Sequence, residues 1–374
     1  MRLLNTIKSP LFLMVLSIIF LQYRKYAKME KEILGVNTSS IIYNTLISTF
    51  FGILGGLMGS IIFLYFGTTI NPEDFYFILP LALALSLIHS RFICFSYAGG
   101  IISLVSLIFG YPNINIPGIL MTIGVLHLIE SFLILIDGNR MSIPMFMERE
   151  GQIVGGFMLN RFWPVPFTIF INSNPIYPAT IIAILGYGDY ALTNYPEKKP
   201  RKTAFTLSMF SIVLLILANL SLKYSVFLYI GAIFSPLGHE AIIKLGRKRE
   251  ESGEYLFKPV SNGVKVLNVL PKGIGEAMEL KSGDTIFSIN GHRVYSNEDI
   301  ESILYYRPNY IWMEISPRGK EVVTKEYKDY KNGISNLDLI TVSDMSRYGY
   351  IMREAESPIK RLRDKIKRRK SKFK

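Results

Sequence analysis

The sequence predicts an α-helical multi-pass membrane domain followed by a small α+β domain. Three observations carry this. The 374 residues are 49% hydrophobic with a mean hydropathy of +0.29. Only 19% are charged, below the roughly 25% of a typical soluble domain. The apolar residues fall in blocks before residue 240, and short alternating stretches follow. A long apolar block is a candidate span, and a change of pattern marks a change of environment.

The apolar blocks give seven candidate spans, at about 3–23, 41–67, 75–90, 92–110, 117–136, 203–222 and 224–238. The first has no small-residue cleavage pattern after Tyr23 and runs into "YRKYAKMEKE", so it reads as a retained anchor. The second holds "FGILGGLMGS", with Gly52 and Gly56 four apart and Gly55 and Gly59 likewise. Small residues at that spacing let helices approach closely. They serve packing inside one subunit or a homodimer through Gly52 and Gly56. The single cysteine, Cys94, lies in an apolar run and has no internal disulfide partner.

Residues 138–163 form an insert, with "PMFMEREGQIVGGF" as a hairpin turning at Arg149-Glu150-Gly151. Phe162 and Trp163 then suit a membrane interface. The apolar stretch 164–193 is broken by Pro164, Pro166, Pro175 and Pro178 and by "NSN". Freed backbone groups must find partners within the protein, so a re-entrant or paired short hairpin fits better than a clean span. Basic loops at "YRKYAKMEKE", "EKKPRK" and "GRKRE" put the C-terminal side in the cytoplasm, together with the insert. The membrane domain then covers 1–240, a linker 241–254, the α+β domain 255–328, and a flexible linker with a polybasic tail 329–374.

Ionisable residues inside apolar segments are costly and invite a functional reading. His127 and Glu130 lie one helical turn apart, and His239 and Glu240 close the last span. Two His and two Glu are a possible zinc set. The plainer reading makes His127–Glu130 a hydrogen-bonded packing pair and Glu240 a partner of Lys244. His239-Glu240 begins a metalloprotease signature, but Ile243 stands where the second histidine belongs. "LIDG" at 135–138 is similar to the Asp-Gly of membrane-embedded metalloproteases but precedes the His-Glu. A general-base glutamate without a metal-bound water has nothing to activate. No metal and no cofactor are therefore expected. A proton-coupled transporter using His127 and Glu130 lacks the paired internal repeats. There is no nucleophile elbow, P-loop or dinucleotide fingerprint.

After Tyr255, "GVKVLNVLP" alternates as a strand and "GIGEAMEL" reads as a short helix. "KSGDTIFSINGHRV" is turn, strand and turn at Asn290-Gly291. "SNEDIESILYY" opens with Ser296 and has Asp299 three residues later, a helix cap. These residues resemble a bacterial PDZ domain over about 70 positions. Leu280, Gly283, Asp284, Ile286, Ile289, Asn290 and Gly291 match its most distinctive positions. Ile274-Gly275 and Met278-Glu279 depart from the Pro-Ala and Ala-Gly usual there. The resemblance implies a partly open β-barrel with two helices that binds protein partners by strand addition. The strand 263–270 would offer its edge and the helix 296–306 its face, with Val264, Val266, Ile300 and Ile303 in the pockets. "YLFKPVSNG" lacks a Gly-apolar-Gly carboxylate loop, so the ligand is an internal segment or a C-terminus, or the domain is a folded spacer.

The net charge of +13 is mostly a tail property, because 357–374 holds ten Lys/Arg against one Asp. Anionic lipid headgroups suit residues 360–374, at about 1 kcal/mol per basic residue near the surface. Specific nucleic-acid binding is not expected, since only Phe373 offers an aromatic platform. The architecture, the PDZ motif and the "GHE" junction resemble the MinJ-type division-site topology determinants of Gram-positive bacteria. That resemblance implies a cell-membrane scaffold, without catalysis, bridging a polar coiled-coil protein to the inhibitor of the division ring. The alternative is a membrane-embedded metalloprotease or a degenerate regulator related to one.

Overall fold

The computed structural model describes residues 6–35, 40–149 and 151–342. The basic segment 360–374, with its expected lipid contacts, lies outside the described residues. Seven helices dominate the first two thirds: α1 (Pro10–Leu34), α2 (Ile41–Phe66), α3 (Phe75–Ile88), α4 (Phe95–Phe109), α5 (Ile116–Asp137), α6 (Lys199–Ser221) and α7 (Val226–Ser252). Their starts and stops follow local chemistry. The Ser9 hydroxyl accepts the Phe12 N–H at 3.2 Å with Pro10 in the first turn, and Gly35 takes the left-handed conformation that ends α1.

Among the described residues, four helices, α2, α5, α6 and α7, are long and apolar enough to cross a membrane, by length and composition. The sequence predicts about seven spans. With 14 and 15 residues, α3 and α4 reach only about 21–23 Å, against a hydrocarbon core of about 30 Å. Helix α1 turns basic after Tyr23. Of the four span-length apolar helices, α5 is the most buried, as expected of a helix at the centre of a bundle.

A correction concerns residues 142–191, which are β-structure inside the helical part. Strand β2 (Ser142–Arg149) pairs antiparallel with β3 (Gln152–Ile171), and β3 with β4 (Tyr177–Ala191). Short β1 (Thr69–Ile70) joins the far end of β3. The 20-residue β3 thus runs from the expected insert straight through the expected re-entrant segment. Arg149 faces Gln152 across the first turn, where Gly151 has φ 75°.

Between its partners β2 and β1, β3 presents one edge to helix α2. Backbone groups of 162, 164, 166 and 168 share that edge, since alternate residues point the same way. The Phe162 N–H donates to the Tyr23 hydroxyl at 3.2 Å, and the Thr168 N–H to Ser60 Oγ at 2.8 Å. The two positions between are prolines and have no N–H to satisfy. Helix α2 closes over them because it carries glycine there. A Cβ on Gly52 or Gly56 would overlap the backbone carbonyl of Pro164 or Pro166. Gly55 and Gly59 face Ile129 of α5. The glycine stripe is therefore filled by this chain's own strand and helix, which corrects the homodimer expectation for Gly52 and Gly56. Gly56→Ala should cost on the order of 1–3 kcal/mol, because a backbone carbonyl must move. A lowered thermal midpoint of the purified chain checks this.

A buried polar knot ties the same elements. Arg161 of β3 and Asp137 of α5 are both fully buried and ion-paired. The Asp137 carboxylate also accepts Trp163 Nε1 at 2.8 Å and Arg140 Nε at 2.7 Å. Arg161 Nη1 reaches Asn44 Oδ1 of α2 at 3.3 Å, and its guanidinium lies 5.3 Å from the Tyr23 ring centre. Trp163 is fully buried, not interfacial, because its indole N–H has this partner.

Candidate functional site

The small domain is a six-stranded sheet in the order β10-β5-β6-β8-β9, with β7 beside β6. Its strands are β5 (Val264–Val269), β6 (Thr285–Ile289), β7 (His292–Arg293), β8 (Tyr310–Ser316), β9 (Val323–Lys328) and β10 (Leu339–Thr341). Two helices, α8 (Ile274–Ala277) and α9 (Asn297–Leu304), complete it. Ser296 and Asp299 form a full capping box on α9. The boundary expected at 328 is too short. Ile334 and Leu337 belong to the domain's core and β10 to its sheet.

The distinctive positions each have a physical reason. Leu280, Ile286 and Ile289 are core. Gly283, at φ 96°, turns tightly against the Tyr195 ring. The Asp284 carboxylate accepts the backbone N–H of Lys281 at 2.9 Å and of Arg318 at 3.1 Å, tying two turns together. Asn290 and Gly291 both have positive φ and join β6 to β7 in a two-residue turn. The Asn290 Oδ1 also accepts the Trp312 N–H at 2.9 Å.

The expected peptide pockets are not open. Val264, Val266 and Ile300 are buried in the domain's own core, and Ile303 packs partly buried against it. One side of β5 pairs with β6 and the other with β10, where Leu339 faces Val269 and Thr341 faces Val266. The Leu270 N–H donates to Asp338 O at 2.8 Å, and the Val342 N–H to Lys265 O at 2.9 Å. The chain's own segment thus fills the strand edge that sequence reasoning assigned to a partner. Pattern alone could not reveal this, because "LDLITV" is a weak strand signal far along the chain.

The domain is seated on the helical part. Residues 241–252, expected as linker, are the last turns of α7, which carries Pro236 inside it and still runs on to Ser252. Glu250 on that helix is almost fully buried. Its carboxylate accepts the backbone N–H of Leu192 and of Thr193, each at 2.9 Å, and Asn194 Nδ2 at 2.7 Å. Lys199 lies 3.4 Å from Glu250 and 3.2 Å from Asp189. Beyond it, Phe257 bridges to Gly155 of β3, with the Gly155 N–H donating to Phe257 O at 2.7 Å. Leu267, Ile340 and Val342 join the core of the helical part. The Arg318 guanidinium stacks 4.0 Å from the Tyr195 ring centre.

Of the polar residues in the apolar helices, the expected contact of Glu240 with Lys244 forms, whereas the expected His127–Glu130 pair does not. His127 does not use Glu130. Its Nδ1 meets the Ile123 carbonyl at 2.8 Å, and its Nε2 lies 3.2 Å from Cys94 Sγ. His239 Nε2 is 3.8 Å from the same sulfur. Glu240 turns away from the histidines and pairs with Arg91 at 3.0 Å, Lys244 at 3.4 Å and the Tyr97 hydroxyl at 2.7 Å. The sequence signal missed was Cys94, whose partners lie 33 and 145 residues away.

An apolar helical part compatible with a membrane protein, bearing a small α+β domain, defines the class. Within it, the chain is similar to the cell division topological determinant MinJ of Bacillus subtilis (strain 168), at 22% identity over 246 residues, 61% of this chain and 62% of that protein. The match spans less than two thirds of the relative's length. Among solved structures, the chain matches the PDZ domain of an SdrC-like protein from Listeria monocytogenes, with 19% identity and a TM-score of 0.20, covering 24% of this chain and 96% of that one. No protein-family model matches the chain.

Proposed function

We propose that the chain is a multi-pass cell-membrane scaffold in division-site selection, whose small domain recruits protein partners on the cytoplasmic side. The similarity to a division topological determinant supports the process. The basic ends of the α6–α7 pair support the orientation. Lys198, Lys199, Arg201 and Lys202 lie at the start of α6, and Arg247, Lys248 and Arg249 at the end of α7, where the domain begins. Such clusters stay in the cytoplasm.

The observation that carries the recruiting role is a domain with its own core, held by one side and open on the other. The β5 edge is taken, so recruitment falls to the outward face around α9. There Tyr305 and Tyr306 are 81% and 83% exposed, beside His292, Ile303 and Pro308. Tyrosine is enriched where proteins meet. Imaging dividing cells that carry the full chain with Tyr305→Ser and Tyr306→Ser tests this. The variant should reach the membrane while candidate division proteins lose their placement. Unchanged placement, with the variant folded, rejects the face as the recruiting surface.

The protease-type alternative rests on the Cys94–His127–His239 cluster. Its usual base position, Glu240, is engaged by Arg91 and Tyr97, and Ile243 supplies no ligand. Peptide-bond hydrolysis by the purified chain, lost in His127→Gln, would favour it over the scaffold.

A further inference from the structure

We propose that Cys94, His127 and His239 bind one zinc ion that braces the helical part. The three donors come from separate elements: the turn before α4, the middle of α5 and the body of α7. Their ligand atoms all lie within 4.8 Å of one another. A tetrahedral zinc with bonds of about 2.3 Å to sulfur and 2.0–2.1 Å to nitrogen places S and N about 3.6 Å apart. The sulfur-to-nitrogen distances here, 3.2 and 3.8 Å, straddle that value.

The imidazoles are prepared for this. A backbone carbonyl only accepts, so His127 Nδ1 carries the proton toward Ile123 O. In the neutral ring, Nε2 then presents its lone pair to Cys94. Metal-bound histidines are oriented by the same kind of outer hydrogen bond. His239 is buried, its Nδ1 has no hydrogen-bond partner among the described residues, and its Nε2 lies 3.8 Å from the thiol, with the His127 ring alongside. A metal bond at Nε2 replaces that long 3.8 Å contact with a strong one; the unpartnered Nδ1 is not the ligand atom. The two rings meet edge to face at 4.9 Å between centres, and Phe210 and Tyr97 close over them. These rings lie against the two imidazoles, while Cys94 itself is partly exposed. One thiolate and two imidazoles suit zinc, which leaves the fourth position to water or another donor. Binding releases the Cys94 proton and joins α4, α5 and α7 at one point, so metal affinity becomes fold stability.

The test uses the full chain purified in detergent under reducing conditions, with zinc alone as the first probe and cobalt as the spectroscopic one. Elemental analysis should find about one zinc per folded chain. Cobalt should give a tetrahedral visible spectrum with a sulfur charge-transfer band, and Cys94→Ser should abolish that band. Cys94→Ser and His127→Gln should each weaken metal binding at least tenfold, while Lys244→Gln leaves it unchanged. Zinc should raise the thermal midpoint of the unsubstituted chain. Folded unsubstituted chain that binds no zinc or cobalt would overturn the proposal. So would metal bound equally by the Cys94→Ser, His127→Gln double variant, or a cobalt spectrum without the sulfur band.

Discussion

Asp137→Ala should destabilise the chain by about 3–5 kcal/mol, the range for breaking a buried ion pair on one side. The reason is what remains. Arg161 is fully buried, so its guanidinium charge is left, among the described residues, with Asn44 and the Tyr23 ring. Trp163 loses the acceptor for its indole N–H as well. Arg161→Lys should also be costly, because Asp137 is held by both Nε and Nη2 of a planar fork. Arg161→Met together with Asp137→Leu should be far milder than either single truncation, since no charge is stranded. Denaturant titration of the detergent-solubilised chain measures these differences. Glu32→Ala, which loses only the exposed contact to Lys28, should stay within about 0.5 kcal/mol of the parent.

Glu250→Ala should cost a similar amount, about 3–5 kcal/mol, but its effect should be local to the junction. Lys199 is nearly as buried as Glu250 and would keep only Asp189. Two backbone N–H groups, of Leu192 and Thr193, would lose their acceptor in the same step. The end of α7 would then be free to separate from the end of β4. Hydrogen exchange should accelerate at 192–194 and 255–257. The core around Ile286, Ile289 and Ile315, which does not touch this carboxylate, should hold its protection. Uniform acceleration across the small domain would show that its stability depends on the docking.

The helices were legible because their signal is local. The apolar runs at 41–67, 117–136 and 203–222 mark α2, α5 and α6 on the sequence itself. The small domain was legible for the same reason, since Gly283-Asp284 and Asn290-Gly291 encode turns that few other residues make. The hairpin β3–β4 was not. Its strands are apolar on both faces, and a continuous apolar run does not reveal its period. The prolines at 164 and 166 were visible, but their meaning depends on Gly52 and Gly56 more than a hundred residues earlier. The same distance hid Asp137–Arg161, the Cys94 cluster and the pairing of β10 with β5. Each joins residues that share no local pattern. Val264 and Val266 illustrate the opposite error, where correct strand residues were given a role that the chain's own C-terminal strand already fills.

Hydrogen exchange at the β5–β10 ladder of the full chain shows whether the chain's own segment closes the β5 edge. The amides of Leu270 and Val342 should exchange slowly, close to the protection of the domain core, because they donate to Asp338 O and Lys265 O. Exchange of both at the rate of an exposed loop would contradict this closure, since β5 would then offer an open edge to a partner.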